Sequence, residues 1–307
     1  MQRPIRIGTR GSDLALAQAN TVASLIAKAH RLEEGALEIV PIKTSGDLLQ
    51  EQRLSDVGGK GLFTKEIEEA LYEKRIDMAV HSMKDMPTEL PSGLIIDCVL
   101  EREDPRDAFI SPDARSIETL PKGVKFGTSS LRRAAQILAQ RPDLEIVQFR
   151  GNVGTRLKKL EDGVASATLL AMAGLNRLGM PEVATDPVPV EKMIPAVAQG
   201  IVGIERRVED EEIAHLLAPI HHVETAIVMA AERTFLAALD GSCRTPLAAH
   251  AVYDKGRIRF RGQILTPDGT IVHTAERDGS PALSAALGAD AATELKAKGG
   301  PEFFATW

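Results

Sequence analysis

The sequence predicts an α/β protein made of two similar lobes, followed by a small α+β domain with a three-stranded sheet. Three observations carry this reading. Strands and amphipathic helices alternate through the first hundred residues, and the alternation restarts near Val124. Residues 246–277 instead alternate apolar and polar positions at the period of strands, separated by turn sequences, before a closing helix. The chain's 307 residues, at about 150 per domain, allow two or three domains.

The first strand is Ile5 to Gly8; the segment Thr9-Arg10-Gly11-Ser12 then leads into Leu14–Ala29, whose apolar residues recur at helical spacing, with Ser12 or Asp13 as N-cap. Leu37–Ile42 is a second strand. The glycines Gly58, Gly59 and Gly61 enter an amphipathic helix that ends near Arg75, and Ile76–Ser82 is a buried strand closed by Met83-Lys84-Asp85-Met86-Pro87. Gly93–Leu100 follows as a strand. The charged stretch Glu101–Asp107, which contains Pro105, then reads as a crossing between lobes. In the second lobe, strand Val124–Gly127 runs through Thr128-Ser129-Ser130 into helix Leu131–Gln140. Leu144–Phe149 is a strand, Asn152–Asp162 a helix, and Ala167–Leu175 a strand turning into a short helix. Val197–Glu205 reads as a strand returning to the first lobe, with a helical stretch from Glu209. His221–Leu239 is a long helix stopped at Asp240-Gly241. Pro246–Tyr253, Arg257–Leu265 and Thr270–Arg277 are the three terminal strands, and Pro281–Lys298 is a closing helix.

Composition narrows the function. A net charge of -6 and 4% aromatic residues disfavour nucleic acid, which asks for basic grooves and stacking platforms. Arginine is nevertheless in excess, with 23 of the 37 basic residues, and arginine is the side chain suited to bidentate recognition of carboxylate or phosphate. Two cysteines, Cys98 and Cys243, form no disulfide framework, and no apolar stretch reaches the ~20 residues of a membrane span. A cytoplasmic, soluble protein is expected.

IGTRGSDLALAQA and FGTSSLRRAAQIL repeat one device: an apolar residue, Gly, Thr, a loop with Ser, then a helix. Such turns aim backbone N–H groups and a helix N-terminus past the carboxyl ends of the strands, so two facing lobes would make an anion-binding cleft. Arg10, Arg132, Arg133, Arg150 and Arg156 fall at these junctions. Arg132 and Arg133 in a first helical turn oppose the helix dipole and need a ligand anion or a structural partner. The glycine loop around Lys60 lacks the spacing of a nucleotide-binding P-loop, and His81 has no second ligand at metal-binding spacing. Lys84-Asp85 stands at a strand end, where Asp85 could stabilise a developing cation. Cys98 sits in an apolar strand as an inert core residue, whereas Cys243 is a loop thiol and the reactive candidate.

The stretches GTRGSDLALAQA, VGGKGLFTKEIE, DMAVHSMKDMP, EREDPRDAF, GTSSLRRAAQ, RPDLEIVQFRGNVGTRLKKL, AMAGLNRLG, AVAQGIVGIE and DGSCRTPLAAHA resemble those of the porphobilinogen deaminases, or hydroxymethylbilane synthases, over nearly the whole chain. The resemblance implies two lobes like those of type-II periplasmic binding proteins, at 1–100 with 200–219 and at 105–195, and a cofactor-anchoring domain at 222–307. It implies a covalent dipyrromethane cofactor on Cys243 and no metal. It also implies a reaction joining four porphobilinogen molecules head to tail, with loss of ammonia and hydrolytic release of hydroxymethylbilane. Asp85 is then the catalytic residue. Lys84, Thr128, Ser130, Arg132, Arg133 and Arg150 match cofactor-binding positions; Arg10, Ser12, Phe63, Arg150, Arg156, Arg177 and Gln199 match substrate-binding ones. A monomer that hands its product to the next enzyme of the pathway is the family's expectation. Three departures stand out: Ser242 and Ala198 replace commoner glycines, and Asp56 stands where a lysine can occur. The competing readings are a non-catalytic anion-binding protein on the same fold and a nucleotide-dependent transferase.

Overall fold

The structure is a computed structural model that describes residues 3–45, 64–242 and 245–307. The chain divides into two compact units, Met1–Glu103 with Ile201–Ala226, and Asp104–Gly200 with Ile227–Trp307.

The first unit is built on a five-stranded sheet of order β2-β1-β3-β10-β4, from β1 (Ile5–Arg10), β2 (Leu37–Ile42), β3 (Met78–Ser82), β4 (Leu94–Val99) and β10 (Val202–Arg207). β1 is parallel to β2 and β3, while β10 runs antiparallel between β3 and β4. Both faces are covered, which is why its central strands read as unbroken apolar runs. Helix α1 (Asp13–His30) and helix α6 (Glu211–Leu217) pack Val22, Ile26, Ile213 and Leu217 against Ile7, Met78 and Val80. On the other face α2 (Lys65–Tyr72) packs Ile67 and Leu71 against Ala79 and Leu94. Cys98 belongs to the first of these cores, as expected. Its thiol donates to the Leu217 carbonyl at 3.6 Å, and burial, with Asp97 adding to it, pushes its pKa up to about 12.

The second unit repeats this plan with order β7-β6-β8-β5-β9: β5 (Asp107–Ile110), β6 (Lys125–Gly127), β7 (Glu145–Val147), β8 (Ala167–Ala171) and β9 (Asp186–Val188). Here β6 is parallel to β7 and β8, and β5 is the antiparallel strand inserted beside β8. Helix α3 (Leu131–Gln140) supplies Ile137 to one face, and α4 (Val153–Glu161) supplies Leu160 to the other. The two sheets thus share one strand order, each with an antiparallel strand in fourth place. The strands β5 and β9 were not expected as strands. They are four and three residues long, and β5 follows directly on the charged crossing segment that masks it.

The rest of the second unit is the antiparallel sheet β11-β12-β13 (Leu247–Asp254, Arg257–Leu265, Val272–Gly279), with α7 (Val223–Ala238) and α8 (Ser284–Phe304). Helix α5 (Met172–Arg177) completes the elements. Gly269, in the turn after β12, sits so close to α3 that a Cβ there would lie 2.4 Å from the Ala135 carbonyl oxygen. Glu232 of α7 is fully buried and accepts the Ala198 N–H at 2.6 Å and the Ala251 N–H at 2.7 Å. It therefore joins the segment leaving the second lobe to β11. Glu232→Ala would strand two buried N–H groups, so a loss of about 3 kcal/mol or more is expected in denaturant unfolding. Ala198 itself has φ 57°, in the left-handed region that favours glycine. Ser242 is not among the positive-φ residues and carries no such penalty. Among the described residues no single helix is long and apolar enough to cross a membrane.

Candidate active site

The repeated device has one physical explanation in both lobes. A Cβ at Gly8 would lie 2.3 Å from Ile76, and one at Gly127 2.6 Å from the Phe149 ring, so each glycine lets a core side chain close over the strand. The following threonines, Thr9 and Thr128, turn inward. Ser12 then caps α1 by accepting the Ala15 N–H at 3.4 Å, and Ser130 caps α3 by accepting the Arg133 N–H at 3.4 Å. The main chain before each cap is thereby fixed at the carboxyl end of a central strand.

In the first unit a pocket opens at this point, lined among others by Arg10, Ser12, Gln18, His81 and Asp85. Asp85 ends a 3₁₀ turn, Met83–Asp85, that continues β3. The turn is pinned where the Met83 N–H donates to the Ile201 carbonyl at 2.9 Å. Gly203 on β10 leaves room for the Met83 side chain, whose sulfur would be 2.2 Å from a Cβ. Asp85 is exposed, and no hydrogen bond or ion pair engages its carboxylate among the described residues. Lys84 and Arg10 are half-buried beside it in sequence and in the pocket rim respectively. Below, Gln18 donates to Ser82 Oγ at 2.8 Å, and His81 Nε2 lies 3.0 Å from the fully buried Glu205.

In the second unit Arg132 and Arg133 are buried and share Asp107. Arg132 donates to Asp107 Oδ2 at 2.7 Å and to the Ile194 carbonyl at 2.7 Å. Arg133 donates to Asp107 Oδ1 at 2.7 Å and to the Leu169 carbonyl at 2.8 Å. Burial alone would raise the Asp107 pKa, but the two guanidinium charges and their hydrogen bonds hold it well below the carboxylate range. The anion that the helix dipole called for is therefore, in part, a residue of the chain itself. Gln199 departs further from expectation. Rather than lining a cleft it is 1% exposed, with its amide on the Pro105 carbonyl at 2.7 Å and Asp107 at 3.1 Å. Its neighbours Ala198 and Gly200 both have positive φ, which turns the side chain inward.

Removing Asp107 would leave two buried cations facing each other. Asp107→Ala is expected to cost about 3–5 kcal/mol of stability. The pH dependence has a definite sign. A depressed folded-state pKa gives stability that is complete above the unfolded value of about 4 and is lost as pH falls below it. Acid unfolding followed by circular dichroism should accordingly be shallower below about pH 4 in Asp107→Asn than in the wild type.

Arg150 precedes Gly151, whose φ is 119°, and Asn152 caps α4 by accepting the Thr155 N–H at 2.9 Å. Arg156 is half-buried in the first turn of α4. Arg177 ends α5 and donates to the Gly200 carbonyl at 2.7 Å. Phe63, Asp56, the glycines 58–61 and Cys243 lie outside the described residues. Next to Cys243, Ser242 and Thr245 are tied to each other: the Ser242 N–H donates to Thr245 Oγ1 at 3.0 Å, and that hydroxyl donates to the Ser242 carbonyl at 2.7 Å. His222 accepts the Thr225 N–H at 3.2 Å and so caps α7. Among the described residues no group of three or more His, Cys, Asp or Glu side chains is placed to hold a metal.

The sequence reading missed Asp107, Glu205, Glu232 and Gln18. Gln18 carried a signal as the polar residue on the otherwise apolar buried face of α1, whereas Glu205 is followed in its strand by Arg206 and Arg207 and carried none.

Two α/β lobes of one strand order, with arginines and capped helix starts at strand ends, define a class of α/β protein whose strand-end geometry suits an anionic ligand. Residues 5–215 match the family model described as "Porphobilinogen deaminase, dipyromethane cofactor binding domain", and residues 226–297 match the family's C-terminal domain. The porphobilinogen deaminase of Paracoccus denitrificans is 57% identical over 303 residues, covering 99% of this chain and 97% of that protein. The chloroplastic porphobilinogen deaminase of Oryza sativa is 53% identical over 305 residues, covering 98% and 85%. That of Nitrobacter hamburgensis is 54% identical over 298 residues, covering 97% and 94%. The chain belongs to the porphobilinogen deaminase family, a family of transferases with a dipyrromethane cofactor.

The residues present fit such a cofactor, whose pyrroles carry carboxylates. Arg132 and Arg133 bring two positive charges against the single carboxylate of Asp107. In addition, Arg132 Nε is a buried donor with no hydrogen-bond partner among the described residues. A carboxylate would supply both the missing charge and the missing acceptor.

Proposed function

We propose that this chain is a hydroxymethylbilane synthase that joins four porphobilinogen molecules head to tail on a dipyrromethane bound to Cys243, releasing ammonia at each addition. The observation that carries the reading is Asp85: an exposed carboxylate without a competing partner among the described residues, at a strand end, in a pocket that also holds Arg10 and Ser12. The bound cofactor supplies a tether and a nucleophilic pyrrole carbon. Asp85 accepts hydrogen bonds from pyrrole N–H groups, stabilises the positive charge that develops on the substrate as ammonia leaves, and takes the proton lost from the pyrrole carbon that makes the new bond. By the family resemblance, substrate and cofactor carboxylates are assigned to Arg10, Ser12 and Lys84 in the first unit. In the second unit they are assigned to Thr128, Ser130, Arg132, Arg133, Arg150, Arg156 and Arg177. Arginine suits this task because its fork matches a carboxylate bidentately. The test is turnover by purified protein: porphobilinogen consumed and ammonia released in equal amounts, with a linear tetrapyrrole as product. Binding of porphobilinogen without ammonia release would refute the reading.

A further inference from the structure

The Asp85 pocket contains a titratable pair that the steps above leave unused. His81 stands on β3 four residues before Asp85 and lines the same pocket. Its Nε2 lies 3.0 Å from Glu205 Oε2, and the two side chains are 5% and 0% exposed. A carboxylate at that distance accepts a hydrogen bond, so the geometry points to a hydrogen on Nε2 and leaves Nδ1 as the nitrogen facing away from Glu205. Nδ1 has no hydrogen-bond partner among the described residues. Glu205 has no cation paired to it among the described residues, and its Oε1 is a buried oxygen without a hydrogen-bond partner. The charged groups around the ring are Glu205 from β10, Glu68 from α2, Arg10 from β1 and Asp85 from the turn. Burial raises the Glu68 carboxyl pKa and Glu205 adds to the effect, so negative charge is concentrated beneath the ring.

We propose that His81, oriented by Glu205, is the proton carrier that regenerates Asp85 between additions. The inference rests on the role given to Asp85. In each addition the substrate C–N bond breaks with its electron pair leaving on ammonia, a C–C bond forms from the pyrrole carbon at the growing end, and that attacking carbon loses its proton to Asp85. Asp85 must give up that proton before it can serve again. The proton passes to His81 Nδ1, where Glu205 offsets the charge of the imidazolium, and then to the released ammonia, which departs as ammonium. Ring and carboxylate return to their starting states with no co-reactant consumed.

A merely structural pair, tying β3 to β10, makes a different prediction. His81→Gln keeps a donor for Glu205 but has no basic nitrogen. The cofactor-loaded variant, with its adduct verified by intact mass, is expected to keep the wild-type melting temperature and KM within about twofold, while kcat falls at least about tenfold. Nitrogen-15 NMR of histidine-labelled wild-type protein, with the His81 signal identified by its loss in the variant, is expected to show the Nε2–H tautomer. Wild-type kcat in His81→Gln overturns the proposal, and so does an Nδ1–H tautomer. If His81→Gln does not fold, Glu205→Gln takes its place in the kinetic test and in the signal assignment by its shift, with the same two outcomes. A wild-type protein that carries no adduct and turns over no porphobilinogen instead refutes the enzyme reading itself.

Discussion

Asp85→Asn is expected to retain the cofactor adduct and to lose about 10²–10⁴-fold in kcat, with a much smaller change in KM. The asymmetry follows from what the substitution preserves. Asparagine keeps the size of the side chain and an oxygen that accepts a pyrrole N–H, so ground-state binding survives. It removes the negative charge that opposes the developing cation and the base that takes the carbon proton, and both act in the transition state. The fold gives little reason for indirect loss, because Asp85 is exposed and holds no partner among the described residues. The turn that carries it is instead fixed by Met83 and Ile201. Steady-state kinetics on protein of verified adduct mass would decide. A variant within threefold of wild type would remove Asp85 from the chemistry.

Cys243→Ser is expected to abolish both the adduct and turnover. A thiol is a partly ionised nucleophile near neutral pH and a hydroxyl is not, so serine cannot form the link unaided. Without the tether, every addition becomes a bimolecular encounter, and the advantage of a fixed reacting end, which can amount to several kcal/mol, disappears. Cys98 offers no substitute: it is buried, and its thiol is pushed up to about 12. Cys98→Ala should therefore keep the adduct, which makes it the control for intact-mass measurement of Cys243→Ser. An adduct persisting on Cys243→Ser would overturn the anchoring role.

The two lobes were legible because each is a run of strands and helices with strong periodicity, and because one glycine-threonine-serine turn occurs in both. Gly8 and Gly127 show why that turn is a sequence signal at all: each lacks the Cβ that would collide with Ile76 or Phe149 as it closes over the strand. The short strands β5 and β9 were not legible, since three or four residues give no period to measure. The arginine excess was legible as a need for anions, but sequence could not separate internal anions from external ones. Arg206 pairs with Asp97, Arg207 with Asp210 at 2.7 Å and Arg277 with Glu294 at 2.6 Å, and Asp107 takes up part of the charge of Arg132 and Arg133. Such partners lie tens of residues away in several cases and meet only in the folded chain. The burial of Gln199 was not legible for a similar reason, because the positive φ at Ala198 beside it leaves no mark on residue type at an alanine.

The central claim is a chain that grows on an anchored primer, and intact-mass spectrometry of the wild-type protein tests it most directly. Protein purified from cells that make porphobilinogen should carry a mass increment of two pyrrole units that maps to Cys243. Brief exposure to porphobilinogen should add a ladder of single-pyrrole steps that collapses back to the two-unit species as product is released. An unmodified chain, or an adduct that never lengthens while porphobilinogen is consumed, would contradict the account.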